Sequence, residues 1–375
     1  MQPFTLLIKP SGSDCNVDCS YCFYKERAAE IGTGRQRMSL EVLEKLVKDY
    51  MRLKFPLAGF AWQGGEPTLM GLDFYKRTVE LQKQYGSPGQ EVGNSLQTNA
   101  ILLDDAWCEF LAANNFLVGV SIDGPKEFHD YYRVDHAGGG TFDKVMRAVN
   151  NCKKHGVEFN TLTLLNAKNV EHPEIVFDFL VDLGTTYLQF IPCVELDPKT
   201  GEVADFSITP AQYGEFLCRV FDRWYEYGPD KLSIRDFDSF LSYYLGGRHT
   251  ICTFDRQCSQ YIVIEHTGDA YCCDFFVEPK WHLGNIMDTP IEQLAASAKK
   301  RKFARAKTNL CSKCMVCRHL AICRGGCMKD RAPFDKDNYG CESYFCDAYK
   351  RFFDYTGPRF MQIAADVSSG RMVRS

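Results

Sequence analysis

Three cysteines near the start of the chain, Cys15-Asn-Val-Asp-Cys19-Ser-Tyr-Cys22, constrain what it can fold into more than any other feature. They come just after an apolar run, Phe4 to Ile8, that reads as a strand. Thiols spaced by three and then two residues can gather round one inorganic centre in a single tight loop. A cubane iron-sulfur cluster has four irons and usually takes four thiolates, so three ligands leave one iron open to something that is not protein. The competing readings are zinc and three unrelated core cysteines. Zinc wants four ligands, and a fourth cysteine nearby in sequence is missing.

At 375 residues the chain is long for one ordinary domain and natural for a barrel with an appended module. Its 45% apolar and 25% charged residues are those of a soluble globular protein, and a formal net charge of -4 offers no basic field for nucleic acid. No stretch approaches the roughly 20 apolar residues that span a bilayer, and the start Met1-Gln2-Pro3-Phe4 lacks the charged segment of a signal peptide. We expect a cytoplasmic protein with neither nucleic acid nor membrane as partner. In that reducing compartment the clusters among the 18 cysteines read as metal ligands rather than disulfides.

Through the first 230 residues or so, apolar β-rich runs alternate with amphipathic helical stretches, which argues for parallel β/α units. Strands are expected at 5–9, 59–63, 94–97, 117–122, 159–165 and 187–191, and helices at 40–51, 72–85, 104–113, 142–155, 173–183 and 210–227. Six units are too few to close an eight-fold barrel, so we expect a partial (β/α)6 barrel whose open side admits a large substrate. In such barrels reactive groups sit at the C-terminal strand ends. There the chain places the cysteine triplet, then Gly64-Gly65-Glu66-Pro67, then Gln97-Thr98-Asn99, then Ser121-Ile122-Asp123-Gly124-Pro125 followed by Arg133. Two glycines let backbone approach a ligand closely, although a plain glycine turn reads the same way. Polar residues on one rim can hold a ribose or a carboxylate.

Residues 232–245 look like a junction, and beyond them the composition changes. Eleven cysteines lie between Cys252 and Cys346, with a core pattern Cys314-x2-Cys317-x5-Cys323-x3-Cys327. Eight thiolates would complete two four-ligand clusters; a zinc ribbon is the rival on these spacings. Cys272 and Cys273 adjoin in what reads as a strand, 269–277, so their side chains should point to opposite faces and only one should be a ligand. Cys108, Cys152, Cys193 and Cys218 read as small buried hydrophobes.

Taken together, Cys15-x3-Cys19-x2-Cys22-Phe23-Tyr24, Gly64-Gly65-Glu66-Pro67, Ser121-x-Asp123-Gly124-Pro125 and the C-terminal cysteine pattern resemble radical S-adenosylmethionine enzymes with a SPASM domain. Within them, phrases such as Trp62-Gln63-Gly64-Gly65-Glu66-Pro67-Thr68, Asn94-Ser95-Leu96-Gln97-Thr98-Asn99 and Leu283-Gly284-Asn285-Ile286 look most like the anaerobic sulfatase-maturating enzymes. The resemblance runs from about Leu6 to Arg359. It implies a radical S-adenosylmethionine barrel over 1–235, a SPASM domain with two auxiliary clusters over 236–350, and a C-terminal helix and tail over 351–375.

The implied reaction oxidises a cysteine or serine of a sulfatase peptide to Cα-formylglycine. A deoxyadenosyl radical takes hydrogen from the target's Cβ, a base takes the thiol or hydroxyl proton, and a second electron leaves through the auxiliary clusters. The resemblance implies three 4Fe-4S clusters and S-adenosylmethionine. Cys15, Cys19 and Cys22 hold the first cluster; Cys252, Cys258, Cys273 and Cys327 hold one auxiliary cluster; Cys314, Cys317, Cys323 and Cys346 hold the other. Asp274 is the implied base, and Tyr24 and Gln63 lie near the target. Gly64, Gly65, Glu66, Ser121 and Arg133 attend the nucleoside. The extra thiols Cys272, Cys311 and Cys341 leave that partition open by a residue.

The expected partners are an unfolded or nascent sulfatase peptide carrying Cys/Ser-x-Pro-x-Arg and a low-potential electron donor such as flavodoxin or ferredoxin, with the enzyme a monomer. Another SPASM enzyme, forming thioether or carbon-carbon crosslinks, is the alternative; it would favour a leader-binding domain, for which Met1 to Cys15 is short.

Overall fold

Helices begin where a short polar side chain can satisfy an unpaired backbone N–H. In the computed structural model, which describes residues 2–25, 31–331 and 342–371, Ser39 Oγ accepts from Val42 N–H and Asp104 Oδ1 from Trp107 N–H, at 3.2 and 3.0 Å. Thr209 and Gln212 form a reciprocal capping box with Pro210 in the first turn.

In chain order the elements are β1 (Thr5–Lys9), α1 (Leu40–Met51), β2 (Leu57–Trp62), α2 (Leu72–Tyr85), β3 (Glu91–Thr98), α3 (Asp105–Ala113), β4 (Leu117–Ser121), α4 (Lys126–Tyr132), α5 (Phe142–His155), β5 (Phe159–Leu165), α6 (Pro173–Asp182), β6 (Tyr187–Pro192), α7 (Pro210–Tyr227), β7 (Ser233–Ile234), α8 (Arg235–Gly246), β8 (Tyr261–Glu265), β9 (Asp269–Tyr271), β10 (His282–Asn285), α9 (Ile291–Ala295), α10 (Ala298–Ala306), α11 (Ser312–Met315), α12 (Leu320–Cys323) and α13 (Cys346–Ser368). All six expected strands and all six expected helices are present, with ends moved by no more than three residues.

Two departures matter. Residues 232–245 are not merely a junction: they form β7 and most of α8. The strand expected over 269–277 stops at Tyr271, whose ladder partners are Val263 and His282, and the chain then turns through a 3-10 segment, Asp274–Phe276. Cys272 and Cys273 therefore lie past a strand end, so strand alternation is not what separates them.

The chain divides into two compact units. The first joins residues 1–121, 133–159 and 258–304. Its strands run in the order β10-β9-β8-β1-β2-β3-β4. The pairs β1·β2, β2·β3 and β3·β4 are parallel. β8, from the cysteine-rich part of the sequence, also pairs parallel with β1, opposing Lys9 with Glu265, whereas β9 and β10 are antiparallel. Leu6, Ile8, Leu43, Leu46 and Trp62 are fully buried in its core.

The second unit joins residues 122–132, 160–257 and 305–375. It holds the parallel set β5-β6-β7, and α7, α8 and α13 share an aromatic core. Phe240 sits within it, its ring centroid 4.7 Å from Phe254, 5.6 Å from Phe352 and 5.0 Å from Phe353. Among the described residues no helix is long and apolar enough to cross a membrane.

Phe240→Ala would open a cavity that these three rings cannot close. A buried Phe→Ala change typically costs about 3–5 kcal/mol, so the variant should unfold at clearly lower denaturant than the parent when both are followed by far-UV circular dichroism. Coincident curves would mean the aromatic core contributes far less than its burial implies.

Candidate active site

β1 runs directly into the cysteine loop, and the end of β2 clamps it. Gln63 N–H donates to Ile8 O at 2.9 Å, Gly65 N–H to Gly12 O at 2.8 Å and Glu66 N–H to Asp14 O at 2.8 Å. Gly65 has no room for a side chain, since a Cβ there would stand 2.1 Å from the Asp14 carbonyl oxygen. Gly64 sits at φ +138°, a conformation other residues rarely adopt. The close backbone approach that these glycines permit is thus made to the cysteine loop itself. Within the loop, Cys22 N–H donates to Cys19 O at 3.2 Å.

Glu66, which the resemblance places at the nucleoside, is anchored within the rim. Its buried carboxylate accepts from Thr68 Oγ1 and Thr98 Oγ1, both at 2.6 Å, and from the N–H groups of Thr68 and Asn99 at 3.0 and 2.8 Å. Burial pushes its carboxyl up while these donors pull the other way. With both oxygens occupied, Glu66 bolts two rim loops together. Asn99, read from sequence only as one of the polar rim residues that can hold a ribose or a carboxylate, donates to Asn16 Oδ1 at 2.7 Å and lies 3.7 Å from Cys15 Sγ.

A third clamp is the segment after α4. Asp18 N–H donates to Val134 O at 2.7 Å, the His136 ring nitrogen Nε2 pairs with Cys15 O at 2.9 Å, and the Arg133 guanidinium lies 5.5 Å from the Tyr21 ring centroid. His136 was missed in sequence because its only signal is a position beyond Arg133. Ser121 is half-buried at the end of β4 and Gln63 half-buried just past β2.

Burial pushes the Cys15 and Cys22 thiols up, and the nearby Glu66 adds to the rise at Cys15. Such thiols ionise when a metal ion takes them. Among the described residues no three Cys, His, Asp or Glu side chains stand close enough to share a single ion. A cubane spreads its thiolates over four irons, and a triplet held on one loop by three backbone clamps fits it.

Beside this loop lies a buried nest of charge. The turn 273–276 packs onto it through Phe275, whose ring centroid is 5.1 Å from that of Phe23. Asp274 is 7% exposed, accepts from Tyr261 Oη at 3.0 Å, and has Oδ2 3.7 Å from Lys9 Nζ. The same ammonium lies 4.6 Å from the Tyr24 ring centroid, and Tyr24 Oη donates to Glu265 Oε1 at 3.4 Å. Burial raises the Glu265 carboxyl to about 7, with Lys9 opposing. Asp274 and Tyr24, assigned together from sequence, are thus brought together through Lys9 and Glu265, which sequence reasoning missed. A lone lysine at the end of an apolar strand gives no signal of this.

In the second unit one cavity is lined by Cys314, Cys317, Cys323 and Cys346, the four residues expected to share a cluster. Burial raises the Cys314 thiol to about 12 and the Cys323 thiol to about 11. Cys311 precedes α11 without a side-chain capping bond and donates from Sγ to the cavity-lining Cys314 Sγ at 3.7 Å. The fully buried Arg331 ties the surrounding loops, donating to Gly325 O at 2.8 Å and Lys307 O at 3.1 Å.

For the remaining set, Cys258 and Cys273 belong to the first unit and Cys252 and Cys327 to the second. Tyr261 Oη is 3.1 Å from Cys273 Sγ, and Cys252 O accepts from Lys307 Nζ. Cys272 is 1% exposed, its thiol raised to about 11 by burial, and its carbonyl accepts from Lys300 Nζ at 2.9 Å. Cys341 lies outside the described residues.

Comparison with known proteins agrees with this geometry. Residues 10–180 match the radical SAM superfamily, and residues 252–318 match SPASM, described as an iron-sulfur cluster-binding domain. The chain is 38% identical over 374 residues to the serine-type anaerobic sulfatase-maturating enzyme of Bacteroides thetaiotaomicron, covering 95% of this chain and 90% of that protein. It is 39% identical over 373 residues to the cysteine-type enzyme of Clostridium perfringens, covering 98% and 100%. A solved structure described as native anSMEcpe with bound AdoMet and Cp18Cys peptide superposes with a TM-score of 0.91 at 38% identity, covering 97% of this chain and 100% of that one. By fold, cysteine pattern and relatives across its length, the chain belongs to the anaerobic sulfatase-maturating enzymes, radical SAM proteins with a SPASM domain.

Proposed function

We propose that this chain converts a cysteine or serine of a sulfatase peptide, within a Cys/Ser-x-Pro-x-Arg motif, into Cα-formylglycine. The observation that carries this reading is the buried Asp274 carboxylate, held against Lys9 and Tyr261 on a turn that packs on the cysteine loop. S-adenosylmethionine and the clusters, when bound, supply a hydrogen-abstracting radical and a route for the second electron.

The chain's residues do the rest. Cys15, Cys19 and Cys22 hold the first cluster, in a loop set by the Gly64-Gly65 clamp. Ser121 and Arg133 border the nucleoside, and Glu66 acts by holding the rim. Tyr24 and Gln63 wall the target site. Asp274 takes the proton from the target's sulfur or oxygen, which needs hydrogen-bond reach and an ionised carboxylate.

Cys314, Cys317, Cys323 and Cys346 hold one auxiliary cluster, and Cys252, Cys258, Cys273 and Cys327 the other. A low-potential carrier such as flavodoxin or ferredoxin supplies the first electron. The enzyme works as a monomer in the cytoplasm, where thiols stay reduced.

Because the serine-type and cysteine-type relatives stand at 38% and 39% identity, the test uses both substrates. Anaerobic incubation with peptides carrying Cys-x-Pro-x-Arg or Ser-x-Pro-x-Arg should yield the aldehyde from at least one, detected by mass spectrometry. Neither peptide reacting while deoxyadenosine is released would end the maturase reading.

Separate cluster roles make a further expectation. The reconstituted parent should carry about twelve irons, four for each centre. Cys19→Ala should release neither deoxyadenosine nor formylglycine, whereas Cys317→Ala should keep some deoxyadenosine while product falls much further. Equal loss of both products in two folded variants contradicts the division.

Asp274→Asn keeps size and loses basicity. It should retain iron and deoxyadenosine release while formylglycine formation slows on the order of 10²–10⁴-fold. A variant within a few-fold of the parent rate in anaerobic kinetics removes Asp274 from the mechanism.

A further inference from the structure

Lys9 is the last residue of β1, and its side chain is entirely buried. Its ammonium has no hydrogen-bond acceptor among the described residues. What faces it is the Asp274 carboxylate at 3.7 Å, the Tyr24 ring at 4.6 Å and, in register across the β1·β8 pair, Glu265. Glu265 accepts from Tyr24 Oη with one oxygen, and its other oxygen has no hydrogen bond among the described residues. The four side chains come from β1, the cysteine loop, the end of β8 and the turn after β9. Their juncture is where the first-cluster loop meets the turn carrying Asp274.

Burying such charge is not an economical way to stabilise a fold. Replacing a buried ion pair by apolar groups of similar volume is often neutral or stabilising, whereas removing one partner is damaging. Folding would be served as well by an apolar residue at position 9, whose neighbours Leu6 and Ile8 on β1 are fully buried. The charge is therefore better explained by what it holds.

We infer that Lys9 is a positioning residue of the maturation reaction: its ammonium holds the Asp274 carboxylate and the Tyr24 ring in one arrangement. The strand that delivers the first-cluster loop thereby also sets the base. Attraction between opposite charges in a buried site is little screened by water, so the carboxylate is held by charge as well as by packing. This rests on Asp274 being the base.

The test uses the reconstituted, full-length enzyme. Lys9→Met keeps the length and apolar character of the stem and removes the charge. It should retain the parent's iron content and deoxyadenosine release, while formylglycine falls on the order of tenfold to a hundredfold, through kcat rather than the peptide KM. In an Asp274→Asn background the same change should cost little more, because residues acting through one another are not additive. Lys9→Arg keeps the charge and should recover most of the product.

A Lys9→Met enzyme within about twofold of the parent, or one whose loss adds in full to that of Asp274→Asn, overturns the inference. If Lys9→Met takes up no iron, Lys9→Arg decides: iron and product retained support the charge role, and iron lost equally in both makes Lys9 structural and overturns it. A parental rate in Asp274→Asn alone would instead remove the base assignment, a separate result because the Lys9→Met loss is measured with Asp274 intact.

Discussion

The cysteine loop stays where it is because the backbone of residues 63–66 lies hard against that of residues 8–14. Three backbone hydrogen bonds cross this contact, and Gly65 approaches so closely that any Cβ would collide with the Asp14 carbonyl. Buried backbone groups must be paired, and here the pairing is also what aims three thiols at one place. Glu66 extends the contact to the next rim loop, and Asn99, His136 and the Arg133–Tyr21 stack hold the loop from other sides. A loop of this kind has no regular ladder of its own, so its precision is borrowed from the strand ends around it.

Next to that loop the first unit keeps Lys9, Glu265 and Asp274 out of water. An ammonium or carboxylate moved from water into protein costs several kcal/mol unless partners compensate it. The compensation is incomplete, since among the described residues Lys9 Nζ and one oxygen of Glu265 make no hydrogen bond. Incompletely satisfied charge beside a reactive loop is characteristic of sites that do chemistry. β8 makes the nest possible: by pairing parallel with β1 it sets Glu265 opposite Lys9, and the turn after β9 brings Asp274 to the same ammonium.

The cysteine-rich region follows a different physical logic. Cys314, Cys317 and Cys323 come from two four-residue helices and the turn between them, elements too brief to hold one another by packing alone, and Cys346 is the first residue of α13. Arg331 supplies the framework, with its guanidinium spent on backbone carbonyls of the loops around the cavity. Cys311, left over in the sequence pattern, finds a place as a donor to Cys314. Hydrogen bonds to cluster sulfurs are one of the ways a protein tunes a cluster's potential.

Much of this protein was legible in its sequence. The alternation of apolar β-rich runs with amphipathic stretches placed the six β/α units, because a strand followed by an amphipathic helix announces itself locally. The spacing of Cys15, Cys19 and Cys22 and the phrases around Gly65 and Asp123 pointed to the family, because ligand loops are short and contiguous. Harder to read were β7, only two residues long, and β8, five residues in a stretch that reads mainly for its cysteines; each is a strand only by virtue of its neighbour. The turn at Asp274 was taken for a strand because Phe275, Phe276 and Val277, residue types that favour strands, lie past the point where ladder partners run out. The four donors that hold the Glu66 carboxylate were not legible either, because two of them come from Thr98 and Asn99, 32 and 33 residues further on. The sequence by itself determined the six β/α units, the chemistry of the donors and the family. Only the tertiary structure decided that Lys9, Tyr24, Glu265 and Asp274 share one buried nest, because they are up to 265 residues apart in sequence, and the pairing of β1 with β8, set by long-range packing, makes them neighbours.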